Sequence, residues 1–240
     1  MRVGIMFSGG KDSNFAIDFA KEKGWEVAYL LSVKPNRTDC YLFHFATVEH
    51  TPSQAQSMGL PHFLIPCTVA DPRQEADLVK NFVAEHPVDA LLLGGTGLQE
   101  TQIKSLQEAL LPLGIEVFAA HAGQDHDQVM REMLKKGYKF MITQIASDGL
   151  NQDWLGRVID EKVLNELFDR AKKFGFHCGG EGGYYDTFTV DGPLLSKSID
   201  VRKMRKVMES ACVGHLVIDE LRLLDKVDVS NVKRETNKFD

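Results

Sequence analysis

Six consecutive residues, Ser8-Gly9-Gly10-Lys11-Asp12-Ser13, bring together the groups needed to hold a phosphate chain. The two glycines let backbone N–H groups turn toward a ligand with no Cβ in the way. Lys11 adds a mobile cation, and Ser8 and Ser13 add short hydroxyl donors. The apolar run Val3 to Phe7 reads as a buried strand and Asn14 to Lys23 as a helix. The loop therefore sits at a helix N-terminus, where unpaired N–H groups and the dipole favour an anion. Asp12 fits either of two roles, a ligand to Mg²⁺ on the phosphates or a cap on the helix. The spacing matches neither a Walker A loop nor the Gly-x-Gly-x-x-Gly of dinucleotide folds.

A second cluster lies far along the chain, at Gly179-Gly180-Glu181-Gly182-Gly183-Tyr184-Tyr185-Asp186. Four glycines around one carboxylate imply unusual backbone angles or close backbone approach, and such loops often border ligands. Glu181 and Asp186 suit a cationic or amine-bearing substrate, or proton transfer. A surface hairpin with exposed carboxylates fits the same composition.

The elements that position these clusters follow from periodicity. Strands are expected at Trp25–Val33, His62–Pro66, Val88–Leu93 and Ile115–Ala119, with helices opening at Gln99 and at two cap-plus-proline pairs, Thr51-Pro52 and Asp71-Pro72, in which Thr51 and Asp71 are the expected N-caps. This βαβ alternation predicts an α/β fold with a doubly wound parallel sheet. Past His121 the rhythm changes. A helix capped by Asp125, a strand from Tyr138 to Ile145, a helix from Glu161 to Lys173, and strands near Tyr185–Val190 and Leu216–Leu224 suggest a smaller α+β lobe. The expected division is residues 1–120 for nucleotide binding and 121–240 for the substrate. Lys197 to Lys206 is the densest basic stretch and reads as a solvated helix face, and the polar tail from Ser230 is expected to fray.

A formal net charge of −6 argues against general electrostatic binding of nucleic acid. Cys40, Cys67, Cys178 and Cys212 include no Cys-x-x-Cys pair, so neither a zinc knuckle nor a disulfide framework is expected. Cys178 as a persulfide carrier lacks a second nearby thiol. His121 and His126 form no metal-ligand set with nearby cysteines. The chain enters a core strand at once and contains no bilayer-length apolar run, so a soluble, cytoplasmic protein with reduced thiols and no membrane partner is expected.

Ser8 to Ser13 resembles the PP-loop of the ATP pyrophosphatases, which cleave ATP between the α and β phosphates. The segments Ile145 to Leu150, Trp154 to Arg157, and Gly180 to Phe188 with Asp191-Gly192-Pro193 follow in order. Together with the loop they resemble the diphthine–ammonia ligase family over nearly the whole chain. The resemblance implies an adenine nucleotide α-hydrolase-like fold and an ATP-dependent amide ligase. In that family ATP adenylates the carboxylate of diphthine, a modified histidine of elongation factor 2, and ammonia displaces AMP. It implies that Ser8, Gly9, Gly10, Lys11 and Ser13 hold the phosphates, with ATP and Mg²⁺ as the cofactors and Asp12 open to either role, metal ligand or helix cap. Ser32, within Leu31–Val33 at the end of the second strand, is a candidate adenine contact, and His44, in a segment the family carries near its nucleotide, a candidate nucleotide contact. Lys11, Asp12 and Glu181 become the catalytic candidates, and Glu181, Gly182, Gly183, Tyr184, Tyr185 and Asp186 the acceptor site. ATP, ammonia and a carboxylate acceptor are the expected partners, with a homodimer as the candidate assembly.

The chain departs from the family at several positions. Tyr184 replaces a glutamate, Asp186 shortens another, Lys104 stands where an arginine is common, and Ala122 where a tryptophan is frequent. These departures leave two alternatives open, a ligase for a different small carboxylate and a regulatory module that binds adenine nucleotides without turnover. A tRNA-modifying thiolase is disfavoured by the acidic charge and the absent cysteine pair.

Overall fold

The chain opens with a strand, β1 (Arg2–Met6), that is apolar enough to sit at the centre of a sheet, and the computed structural model places it there; the structure describes residues 1–36, 42–43 and 46–226. His44, Cys40 and the tail from Ser230 lie outside the described residues. In chain order there follow α1 (Lys11–Glu22), β2 (Glu26–Pro35), α2 (Thr51–Met58), β3 (His62–Cys67), α3 (Pro72–Glu85), β4 (Ala90–Leu93), α4 (Glu100–Leu110) and β5 (Glu116–Ala119). The strands form one parallel sheet in the order β3-β2-β1-β4-β5. All four residues of β4 are buried, as expected of a strand covered on both faces by helices. The order reverses at β1, whose neighbours β2 and β4 come from opposite halves of the winding. Ligands of such sheets lie beyond the carboxyl ends of the strands at that switch point. The phosphate-type loop follows β1 there, and Gly94 to Gln99 follows β4.

The rest of the chain gives α5 (His126–Lys135), β6 (Lys139–Ala146), α6 (Glu161–Phe174), β7 (Tyr185–Asp191), β8 (Lys197–Met208) and β9 (Val213–Asp225). A second sheet, in the order β7-β6-β9-β8, has antiparallel pairings throughout. Asp125 and Asp160 cap α5 and α6 by accepting from Gln128 N and Val163 N, and Gly175 ends α6 in the left-handed region at φ 76°.

Two local expectations are corrected. Lys197 to Lys206 is no helix face; it is β8, the edge strand of the second sheet. It pairs with β9 from Lys197 to Met208, charged residues included, and its charged side chains blunt the open edge. Thr51 does not cap α2 but is its first residue, because a 3₁₀ turn over Val48–His50 runs straight into the helix and the Thr51 hydroxyl bonds back to Val48 O. Among the described residues no helix is long and apolar enough to cross a membrane.

Candidate active site

The two glycine clusters, about 170 residues apart in sequence, face each other across one cavity of about 650 Å³. Its near wall is the loop after β1. Gly9 sits at φ 80°, and its carbonyl accepts from Gln54 Nε2 at 2.9 Å, Asn14 Nδ2 at 3.1 Å and Thr189 N at 2.9 Å. Only glycine tolerates that backbone, and a Cβ there would stand 2.6 Å from Gln54 Oε1. Gln54 Nε2 also reaches Thr189 O at 2.7 Å, and Lys11 N donates to Thr187 Oγ1 at 3.1 Å, so β7 of the second sheet braces the loop. Gly10 is the N-cap of α1 and no side chain caps the helix, which removes the capping role considered for Asp12. Beyond Lys11, the first-turn N–H groups of Asp12 and Ser13 have no carbonyl one turn back within the helix.

Lys11 is only 4% exposed, and its Nζ lies 2.6 Å from Asp12 Oδ2. Asp12 Oδ1 is buried without a hydrogen-bond partner, 3.8 Å from His126 Nε2. Such an orphaned carboxylate oxygen beside a phosphate loop fits Mg²⁺. The described residues contain no cluster of three metal-type side chains, and Mg²⁺ characteristically takes one or two carboxylates and completes its shell with phosphate and water. Ser13 Oγ donates to Gly10 O at 3.1 Å, and Ser8 Oγ lies 3.4 Å from it. In β2, side chains alternate between faces. Leu31 and Val33 line the cavity, whereas Ser32 points the other way, donating to Phe7 O at 2.5 Å and meeting His62 Nε2 at 2.9 Å.

Glu181 is the most heavily held side chain on the far wall. Its Oε1 accepts from Thr96 N at 2.7 Å and Thr96 Oγ1 at 2.6 Å, and lies 2.8 Å from His126 Nδ1; Oε2 accepts from Leu98 N at 3.1 Å. Burial alone would raise this carboxyl, but the His126 contact and the Thr96 donors overcome it and hold the group at about 2. Glu181 thus ties the glycine cluster to the loop after β4. That loop in turn lies on the start of α1, where a Cβ on Gly94 would meet Asp12 C at 2.4 Å. Gly182 and Gly183 take positive φ beside it and line the cavity.

Tyr185 lines the cavity floor, with Lys11 Nζ 5.7 Å from its ring centre and its hydroxyl given to Cys178 O at 2.6 Å. Asp186 also lines the cavity. Tyr184 is placed elsewhere. Its ring lies 6.1 Å from that of Phe176, against the second core and beside a separate surface depression with Phe174 and Cys212. Tyr184→Glu is therefore expected to leave the KM for the acceptor unchanged while costing about 1 kcal/mol of stability by thermal denaturation, because it puts a charge against an apolar surface. Lys104 pairs with Glu100 at 3.1 Å on the exposed side of α4 and is not among the residues lining the cavity. Burial, then the Asp127 carboxylate 2.5 Å away, push the Cys178 thiol up to about 12, so it offers no thiolate at neutral pH.

Thr96 and Gln54 escaped the sequence reading, and His126 and Thr187 were given no site role in it. Gly179 carries a trace of the first, since a Cβ there would lie 2.0 Å from the His126 ring, but the cause of that glycine is visible only in three dimensions.

Comparison with known proteins gives two domain matches that together cover nearly all of the chain. Residues 1–135 match the model described as diphthamide synthase N-terminal domain, and residues 125–224 the diphthamide synthase C-terminal domain. The chain is similar to diphthine–ammonia ligase of Homo sapiens, 29% identical over 253 residues that cover 95% of this chain and 94% of that protein. The Danio rerio ligase is 28% identical over 95% of this chain and 99% of its own length, and the Mus musculus ligase 26% over 98% and 97%.

Proposed function

The chain belongs to the diphthamide synthase family, and from that premise we propose that it is an ATP-dependent ligase that adenylates a carboxylate and transfers ammonia to it, with diphthine on elongation factor 2 as the acceptor. The observation that carries the reading is the single cavity. It is lined both by a buried ammonium at an open helix N-terminus and by the glycines around Glu181.

A free carboxylate resists amidation because oxide would have to leave. In the first step the acceptor carboxylate oxygen bonds to the α-phosphorus, the bond to the bridging oxygen breaks, and pyrophosphate departs with its electron pair. Lys11 and the N–H groups opening α1 stabilise the charge that accumulates on that leaving group. Mg²⁺ held by Asp12 would neutralise phosphate charge. In the second step the ammonia nitrogen attacks the acyl carbon, AMP leaves, and one proton is lost to solvent. Leu31 and Val33 flank the adenine. Glu181 acts on neither step directly; it positions the loop that covers the start of α1. The nucleotide is held within residues 1–120 and the acceptor mainly by residues 121–240.

Incubation with ATP, Mg²⁺, ammonium and diphthine-bearing elongation factor 2 is expected to yield AMP, pyrophosphate and the amide in equal amounts. ADP and phosphate as products would overturn the assignment. Tight AMP binding without turnover would support the regulatory alternative.

A further inference from the structure

The carbonyl oxygen of Gly9 is gripped from three elements, by Asn14 Nδ2 of α1, Thr189 N of β7 and Gln54 Nε2 of α2. The peptide that carries this oxygen also carries the N–H of Gly10. Among the described residues no peptide bond is cis, and in a planar trans peptide C=O and N–H point in opposite directions. The donors on Gly9 O therefore aim the Gly10 N–H the other way. There Ser8 Oγ lies 3.4 Å off, too far for a strong bond, and both Ser8 and Gly10 line the cavity. The next N–H, that of Lys11, is taken up by Thr187 Oγ1 at 3.1 Å. The Gly10 N–H is thus a donor of this turn that a ligand oxygen can still claim.

We infer that Gln54 is a positioning residue, which locks the Gly9–Gly10 peptide so that the Gly10 N–H faces the phosphates before they arrive. This rests on the reading of Ser8 to Ser13 as the phosphate site of the nucleotide. Gln54 is fully buried, and its amide nitrogen lies 2.9 Å from Gly9 O and 2.7 Å from Thr189 O. Those two carbonyls fix which end of the amide faces them, since its oxygen there would meet only acceptors. Its Oε1 is left buried with no hydrogen-bond partner, so the side chain is placed for its donor end at a cost to its acceptor end. The grip is double. Gln54 donates to Gly9 O directly, and by holding Thr189 O it fixes the residue whose N–H donates to the same oxygen. Asn14, by contrast, divides its amide between Gly9 O and Gly10 O and moves with α1. A glycine at φ 80° needs such a lock, because without a Cβ the peptide turns over at little steric cost. Turned over, it would present Gly9 O to the phosphates and repel them.

Inorganic pyrophosphate probes the loop without turnover, and adenosine probes the rest of the nucleotide site. Gln54→Met keeps the length of the side chain and removes the donor. By calorimetry with Mg²⁺ present, the affinity of this variant for pyrophosphate is expected to fall about tenfold, as for loss of a hydrogen bond to a charged group, while that for adenosine stays within about twofold. In the unmodified protein labelled with ¹⁵N-glycine, the Gly10 amide resonance should move downfield when pyrophosphate is added. In the variant that movement should shrink. Unchanged pyrophosphate affinity in Gln54→Met, an equal loss for adenosine, or a Gly10 amide that ignores pyrophosphate in the unmodified protein would overturn the inference. The last measurement needs no variant, so it decides the matter even where Gln54→Met does not fold. Failure of the unmodified protein to bind pyrophosphate would remove the phosphate reading and this inference with it, whereas binding without an effect of Gln54 would remove only the role of that residue.

Discussion

Lys11→Ala is expected to abolish formation of AMP and pyrophosphate, with kcat/KM falling by about 10³-fold or more. The physical reason is where the ammonium sits. At 4% exposure it is screened little by water, so its attraction for phosphate oxygens exceeds that of a surface lysine. It is also already poised. Its Nζ is held by Asp12 Oδ2 at 2.6 Å and lies over the Tyr185 ring, so it pays little entropy when phosphate arrives. Lys11→Arg should rescue little, because a planar guanidinium does not fit a slot shaped for a point charge. Removing the lysine also leaves Asp12 as an uncompensated carboxylate next to the phosphates, adding repulsion to lost attraction. Stopped-time assays of pyrophosphate release, with nucleotide binding measured in parallel, check this. Activity within tenfold of the parent protein would sink the assignment of the loop.

The second large effect concerns stability and its pH dependence. Glu181→Gln is expected to destabilise the fold by about 3 kcal/mol at neutral pH, from a carboxyl shifted from 4.5 to about 2. The folded-state value is depressed, so this contribution is fully present above the ordinary carboxylate range. It is lost as the pH falls through it toward 2. Denaturation of the parent protein should thus show a fall in stability across pH 4.5 to 2 that is much flatter in the variant. Glutamine retains one acceptor oxygen for Thr96 but turns an amide toward either Leu98 N or His126, where two donors then face each other. Because the loop it releases lies on the start of α1, kcat should fall with stability, and the KM for ATP should rise. A variant as stable as the parent at pH 7 would show that the four contacts carry no net energy.

Much of the fold was legible in the residues. The apolar run of β4, the Asp-Pro opening of α3 and the glycine that ends α6 each act through local geometry, and each appears within a residue or two of where the pattern puts it. β8 was not legible, because its identity as a strand comes from pairing with β9 rather than from its own charged composition. Ser32 shows the same limit at the level of one side chain. The sequence places it at the sheet's ligand edge, but strand alternation turns it away while Leu31 and Val33 face in.

The residues Ser8 to Ser13 by themselves determined that a phosphate-type loop opens the first helix. Glycines, a lysine and a helix start suffice for that, since the backbone itself supplies the donors. The tertiary structure alone decided what the second glycine cluster does. Folding brings Glu181 to Thr96, Leu98 and His126, residues more than fifty positions away, and turns Tyr184 out of the cavity that Tyr185 and Asp186 line. Side-chain chemistry is written residue by residue, but the partners a carboxylate meets are set by which strands pair and which loops meet.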